Sequence, residues 1–496
     1  MKHLLARKSI ESLQLEADRS GMQRSLGATH LLLLGIGCIL GAGIYVMTGN
    51  AAAHFAGPAV MLSFILAGAA CALTALCYAE LASTMPVSGS AYTYCYAAVG
   101  EVFAWVVGWV LLFDYGIAAS LLAVGFSGYL VSLLHDLGVH IPVTLAQPMF
   151  NVTGVHGGAL VATGGANLIA VAIILLITAV LVRGVTQSAF FNNLLVAVKI
   201  LVLVSFVVVG AGAIDPGNWT PFIPPNEGGF AFGWQGVVRA ASILFFAYIG
   251  FETVSTAACE ARNPQRDLPI GILGSLLVCT LLYIIVAAVL TGIVPFRALG
   301  VPDPIAIAAD RMGRPSFAVL IKIGALTGLT SVLLVNAYGQ SRVAFAMGRD
   351  RLLPPLFSDL HARFRTPHGG IILFGVLSAA IAALFPLSLL GDLISIGAGL
   401  AFSTVCVCLM WLRSARPDLP RPFRVPFGGF HIGRVWIGYV PLAAIILCWS
   451  MIVPVVIDIV SQAANGHVTP AVIVGVYFGA GALLYTFYGH RRATRA

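Results

Sequence analysis

The chain has 496 residues, of which 59% are hydrophobic and only 9% charged, against about 25% charged in a soluble domain. Its mean hydropathy is +0.96, so it reads as an integral membrane protein, which excludes a soluble enzyme or binding module. The net charge of +8 invites a nucleic-acid partner, and the positions of the basic residues decide against one.

Residues 1–30 form a polar arm of mixed charge with no cleavable signal, so the first apolar segment is a retained span. Twelve apolar stretches of spanning length follow: 31–53, 58–81, 92–123, 166–183, 194–214, 237–258, 268–294, 317–346, 370–386, 388–412, 436–460 and 470–488. Of the 27 Lys and Arg, Arg297, Arg311 and Arg314 fall in one set of alternate loops and Lys199, Arg239 and Lys322 within spans. All the others lie in the N-terminal arm, the opposite loops or the C-terminal tail, 489–496. That is the positive-inside pattern for an even number of spans with both termini cytoplasmic. Basicity here means topology, with the bilayer as partner and no nucleic acid.

The first span contains Gly35-Ile-Gly-Cys-Ile-Leu-Gly-Ala-Gly-Ile-Tyr45. A bilayer-crossing segment should keep every backbone group bonded within a helix, yet this one has four glycines in nine positions. It reads as a helix broken near Gly41 to Gly43, whose free amides favour an anion such as a carboxylate. The other reading is close packing of neighbouring helices on small residues. Next, Ala79-Glu-Leu-Ala-Ser-Thr-Met-Pro-Val-Ser-Gly-Ser-Ala-Tyr92 is a cytoplasmic connection broken by Pro and Gly. Glu80 there is a gate residue or a solvated helix end, and the sequence alone favours the second. In the third span, Asp114 sits midway and should face the interior, as a substrate-cation site, a relay or a polar contact to another helix.

The loop 135–165 has no Lys or Arg and suits an outside position. The triplets Asn151-Val-Thr153 and Asn218-Trp-Thr220 in outside loops matter only in a glycosylating secretory pathway. Lys199 lies within the fifth span. An ammonium is costly there, so it is either a group that loses and regains its proton between conformations, or one that snorkels to the cytoplasmic surface. Arg239 and Lys322, near outer span ends, are read as snorkelling.

The sixth span repeats the logic of the first, with Phe245-Phe-Ala-Tyr-Ile-Gly-Phe-Glu252 placing a glycine and an acid mid-span. Spans one and six then head two five-span halves, 31–214 and 237–412. Five is odd, so the halves have opposite orientations, and paired interrupted spans point to a transporter site at their interface. Glu252 either organises the break or pairs with a cytoplasmic arginine, with a modest edge to the first. The nine cysteines read as small apolar residues, and Cys406 and Cys408 are too close on one helix to share a face. No histidine falls mid-span, and no H-E-x-x-H or G-x-S-x-G is present. A metal, a cofactor or an enzymatic centre in the membrane is therefore not expected.

These stretches, with Leu26-Gly27, Asn263-Pro-Gln-Arg-Asp-Leu-Pro-Ile-Gly271, Tyr338-Gly-Gln-Ser-Arg342, Met347-Gly-Arg-Asp-Arg-Leu-Leu-Pro354 and Pro417-Asp-Leu-Pro-Arg-Pro-Phe-Arg-Val-Pro426, resemble the amino acid-polyamine-organocation superfamily. The likeness is to its cationic amino acid transporter group, of bacterial type, over roughly residues 22–490. The resemblance implies an all-α fold of twelve transmembrane helices, a leucine-transporter-type 5+5 inverted repeat with broken spans one and six, and spans eleven and twelve over 436–488. It implies a substrate α-carboxylate on the amides around Ile39, Gly41, Ala42 and Gly43, and an α-amino group on the carbonyls of Phe246, Ala247 and Ile249, with Asp114 and Glu252 at the site. Lys199 matches a lysine that replaces a sodium ion and implies proton coupling, with the backbone near Gly41 and the hydroxyl of Thr330 or Ser331 as partners. Ala42 stands where Ser or Thr is usual, and Glu252 where Asp is usual.

The function implied is secondary active transport of cationic or small neutral amino acids across the plasma (inner) membrane, as proton symport, with a monomer sufficient. The alternative is exchange of an amino acid or polyamine. A channel is disfavoured, because two broken helices in an inverted repeat suit alternating access.

Overall fold

The computed structural model describes residues 25–86, 90–152, 160–184 and 189–489. Most of the N-terminal arm, the tail beyond 489 and Thr153 of the first Asn-x-Thr triplet lie outside the described residues. Among the described residues, nine stretches are helical, long and apolar enough to cross a membrane, the first of them 57 residues from Ala28 to Thr84. Two shorter apolar helices, Leu168–Arg183 and His368–Leu384, accompany them. The chain is a multi-pass helical membrane protein.

In chain order, α1 is Ala28–Ile39, followed after a break by wide helical turns to Ala56; α2 is Val60–Thr84, α3 Ser90–Ala98 and α4 Glu101–Asp136. Then come β1 Phe150–Val152, β2 Leu160–Ala162, α5 Leu168–Arg183, α6 Ala189–Gly210, α7 Gly233–Leu244, α8 Pro264–Ile293, α9 Pro304–Arg311, α10 Pro315–Arg349, α11 His368–Leu384 and α12 Leu387–Ala415. The chain ends with β3 Gly429–Ile432, β4 Val435–Gly438, α13 Tyr439–Ala464 and α14 Thr469–Leu484. The strands form two small antiparallel hairpins in loops. We call the side carrying the basic loops the basic face and the other the far face.

The third span differs from its expected bounds of 92–123. Gly100, at φ 132°, separates α3 from α4, and only glycine adopts that conformation at no steric cost. The 36-residue α4 is then about 54 Å long, more than a bilayer core needs, and its end reaches the far-face loops. There α9 packs on the outer part of the first span, where Gly49 leaves no room for a Cβ against Pro304 and the Leu299 carbonyl. On the other side, α14 is fastened to α4 by aromatic stacking. Trp109 and Tyr477 stack at 4.8 Å, Trp109 Nε1 donates to the Tyr477 carbonyl (3.1 Å), and the Tyr477 hydroxyl donates to the Trp109 carbonyl (2.8 Å).

Three charged residues sit differently from their sequence reading. Lys322 is buried at the side chain and gives Nζ to Asp136 (2.5 Å) and Asp310 (2.9 Å). Arg239 is also fully covered, with Nη2 on Asp392 (2.6 Å) and Asp458 (3.1 Å). Glu80 is not a solvated helix end: it is 1% exposed and accepts from Arg413 Nε (2.7 Å) and the Val425 amide (2.7 Å). Snorkelling assumes that the nearest polar phase is solvent. Here acids far apart in sequence are nearer.

Candidate functional site

The first span breaks where its glycines predict. Leu40 leaves the helix at ψ 87° after its amide bonds Ile36 O (2.9 Å), and the next turns are widened from Gly43. In an unbroken helix the carbonyls of Gly37, Ile39 and Leu40 would accept from the amides of Gly41, Gly43 and Ile44. Side chains of other spans take them instead. Lys199 Nζ on α6 lies 2.8 Å from Gly37 O and 3.3 Å from Leu40 O, and the Tyr283 hydroxyl on α8 lies 2.6 Å from Ile39 O. The amides that lost these partners are the donors that the break releases.

The sixth span breaks over a longer stretch. Helix α7 ends at Leu244, a tight turn runs Phe245–Tyr248, Ile249 is extended, and Gly250 takes φ 126°. The amide of Gly250 is held by Glu252 Oε2 (2.8 Å), and the Ser255 hydroxyl returns to the Glu252 carbonyl (2.6 Å). Glu252 therefore bonds inside its own break. The two breaks touch crosswise: a Cβ on Gly250 would lie 2.7 Å from the Cys38 carbonyl carbon, and one on Gly43 would overlap Ala247. Packing alone thus requires glycine at both places, whatever binds between them.

Of the carbonyls read as ammonium acceptors, Phe246 O accepts from the Ile249 amide (3.0 Å) and Ala247 O lies 3.0 Å from the Tyr283 hydroxyl. A carbonyl has two lone pairs, so each keeps acceptor capacity. Ile39, Ala42, Phe246 and Ala247 are buried, and Ile249 is half-buried. Asp114 on α4 is buried against α12, where a Cβ on Gly397 would come 2.9 Å from its Oδ1. That oxygen has no hydrogen-bond partner. Asp114, Lys199 and Glu252 are at most 3% exposed, so the site holds one amine and two carboxyls almost out of solvent.

The structure brings Lys199 to the backbone beside Gly41, as the resemblance implies. The hydroxyls of Thr330 and Ser331 donate within their own helix, to Leu326 O (2.7 Å) and Gly328 O (3.0 Å). The sequence reading missed Tyr283, which reaches both breaks. Its only signal was a phenol in the middle of an otherwise aliphatic span. Among the described residues, no group of three or more His, Cys, Asp or Glu is placed to hold a metal ion.

Residues 26–482 match the model of a family described as amino acid permease. The chain is 44% identical to a methylthioribose transporter of Bacillus subtilis, over 86% of this chain and 89% of that protein. It is equally identical, at 44%, to a branched-chain amino acid permease of the same organism, over 85% and 88%. A vacuolar cationic amino acid transporter of Arabidopsis thaliana is 38% identical over 84% of this chain and 68% of its own length.

Proposed function

This chain belongs to the amino acid permease family, and we propose that it carries amino acids across the plasma membrane by alternating access coupled to protons. It is a permease and not an enzyme. We count the 57-residue stretch Ala28–Thr84 as two crossings and Leu168–Arg183 and His368–Leu384 as one each, twelve in all, with both termini cytoplasmic. Residues 31–214 and 237–412 are then two inverted five-span halves, with spans eleven and twelve over 436–488, and a monomer suffices.

The substrate carboxylate meets the amides released between Ile39 and Ile44, and its ammonium meets the carbonyls of Phe246, Ala247 and Ile249. The observation that carries the proton coupling is Lys199 Nζ on the Gly37 and Leu40 carbonyls. Charged, it makes strong bonds that tie the broken span to α6. Without its proton it loses that strength, and the span is released to tilt. Only a group whose proton affinity differs between orientations couples a gradient to the cycle.

Asp114, with an unpartnered carboxylate oxygen, favours amine-bearing or cationic side chains, in line with the cationic transporters among the relatives. The equal identity to a methylthioribose transporter supports a second substrate reading, a neutral thiosugar. Purified protein in proteoliposomes separates these. L-arginine or L-leucine should accumulate above equilibrium only under an inward proton gradient, and counterflow without a gradient reads exchange. Accumulation that ignores the gradient overturns proton coupling. Stabilisation by methylthioribose alone, in a thermal-shift screen that includes the twenty amino acids and polyamines, overturns the substrate class.

A further inference from the structure

The ion pairs at the two ends of α12 lead to the same helices. Near the far face, Asp392 in the second turn of α12 accepts from Arg239 of α7 (2.6 Å), and Asp458 of α13 shares that guanidinium (3.1 Å). Phe55, from the outer part of the first span, lies 5.0 Å beneath it. Near the basic face, Arg413 in the last turn of α12 grips Glu80 of α2 through Nε (2.7 Å) and Nη2. Glu80 also takes the Val425 amide (2.7 Å) and lies 3.5 Å from Arg421 Nε. Trp436 of β4 covers the Arg413 guanidinium at 4.1 Å. From Asp392 to Arg413 the helix rises about 30 Å, the thickness of a bilayer core.

We infer that α12 is clamped at both membrane faces to α2 and α7, and moves with these two helices and the broken spans rather than with α4. The inference rests on the alternating-access reading above. Both clusters are almost fully buried, and separating a buried pair strands an uncompensated charge. A part that cycles is therefore better held on the same side of the moving surface as its partners. The opposite flank of α12 carries no such grip on α4 at mid-membrane: there Gly397 lies against Asp114, whose Oδ1 is unbonded. Small residues at a helix contact permit close approach without fixing it. The sliding surface is the α12–α4 contact, and Asp114 sits on it.

Native cysteines lie on either side of this surface. Cys406 of α12 is hydrogen-bonded to Cys77 of α2, within the inferred moving unit. Cys408 of α12 has its sulfur 2.7 Å from that of Cys95 on α3, which leads into α4. In one variant Cys95 and Cys408 are changed to alanine, and in the other Cys77 and Cys406. Each full-length protein is reconstituted and oxidised with copper phenanthroline, which takes two electrons and two protons from a thiol pair to form a disulfide, and cross-linking is read by mass spectrometry. Transport by the Cys77–Cys406 protein should stay within twofold after cross-linking. Transport by the Cys95–Cys408 protein should fall at least tenfold and return with dithiothreitol. The reverse pattern, or arrest by the Cys77–Cys406 bond, overturns the inference.

A second measurement does not depend on transport. Spin labels on Val407 of α12 and Ile65 of α2 should give one distance in the free protein. Labels on Val407 and Val106 of α4 should give two. One distance for the second pair with two for the first overturns the clamp. If the unoxidised proteins transport no amino acid, the permease reading fails, and the spin-label distances still judge the clamp.

Discussion

The two breaks are built on opposite plans. In the first span, the freed carbonyls of Gly37, Ile39 and Leu40 are held from outside, by Lys199 of α6 and Tyr283 of α8. In the sixth span the break is held from within, by Glu252 on the Gly250 amide and by the positive φ that only glycine adopts easily. A break held by its own residues keeps its shape wherever the helix goes. A break held by neighbouring helices changes when those helices move or when the holding group changes charge. The first span is therefore the adjustable half of the site and the sixth the fixed half.

The largest expected effect comes from removing the adjustable hold. Lys199→Met should abolish gradient-driven accumulation, a loss of at least tenfold, because no proton-binding group remains on the Gly37 and Leu40 carbonyls. Lys199→Arg should also fail to couple, since a guanidinium keeps its proton in this range. Uptake in proteoliposomes with and without an imposed pH gradient reads both. Retained accumulation in Lys199→Met would place coupling elsewhere and remove the contrast between the breaks.

The fixed hold should respond to chemistry rather than to charge. Glu252→Ala leaves the Gly250 amide without its acceptor in a buried place, a penalty of about 1–3 kcal/mol, and kcat/KM for uptake should fall roughly tenfold. Glu252→Gln keeps a carbonyl oxygen in reach of that amide and should stay within about threefold. If Gln behaves like Ala, the charge of Glu252 matters and the sixth break is adjustable too.

Much of this was legible in the sequence, for a physical reason. Glycine inside a membrane span violates a local rule, and a local rule can be read locally: Gly41, Gly43 and Gly250 marked both breaks to within a few residues. A lysine in an apolar span is conspicuous in the same way. What could not be read is whatever depends on a distant partner. Arg239 passed for a snorkelling side chain because Asp392 and Asp458 lie 153 and 219 residues away, and Glu80 passed for a solvated end because Arg413 lies 333 away. Tyr283 looked like any other aromatic of an aliphatic span, since its role is set by two carbonyls on other helices.

Tyr283 touches both plans at once and offers the next, smaller effect. One hydroxyl proton serves either Ile39 O (2.6 Å) or Ala247 O (3.0 Å). Tyr283→Phe removes one bond, worth about 1 kcal/mol, and should raise KM about fivefold with kcat nearly unchanged. A fall in kcat at constant KM would mean that Tyr283 serves the moving step and not the shape of the empty site.

The smallest effect on transport is a control on the first. Any pH dependence credited to Lys199 must be separated from groups that titrate outside the membrane, and Asp303, just before α9, is one. Burial pushes its carboxyl up to about 6, against opposing pulls from Ser132 and Lys322. A carboxyl raised in this way holds a proton in the folded protein that the unfolded chain, at about 3.9, has released. Its contribution to stability is therefore complete below about pH 4, is lost as pH rises to about 6, and amounts to at most about 3 kcal/mol. Asp303→Asn cannot titrate, so its unfolding temperature should decline less between pH 4.5 and pH 7 than that of the unsubstituted chain. Gradient-driven accumulation at pH 7 should be the same in both, because Asp303 bonds neither break. A loss of accumulation in Asp303→Asn would mean that the α9 lid shares in the coupling, and that the first break is not where the proton acts alone.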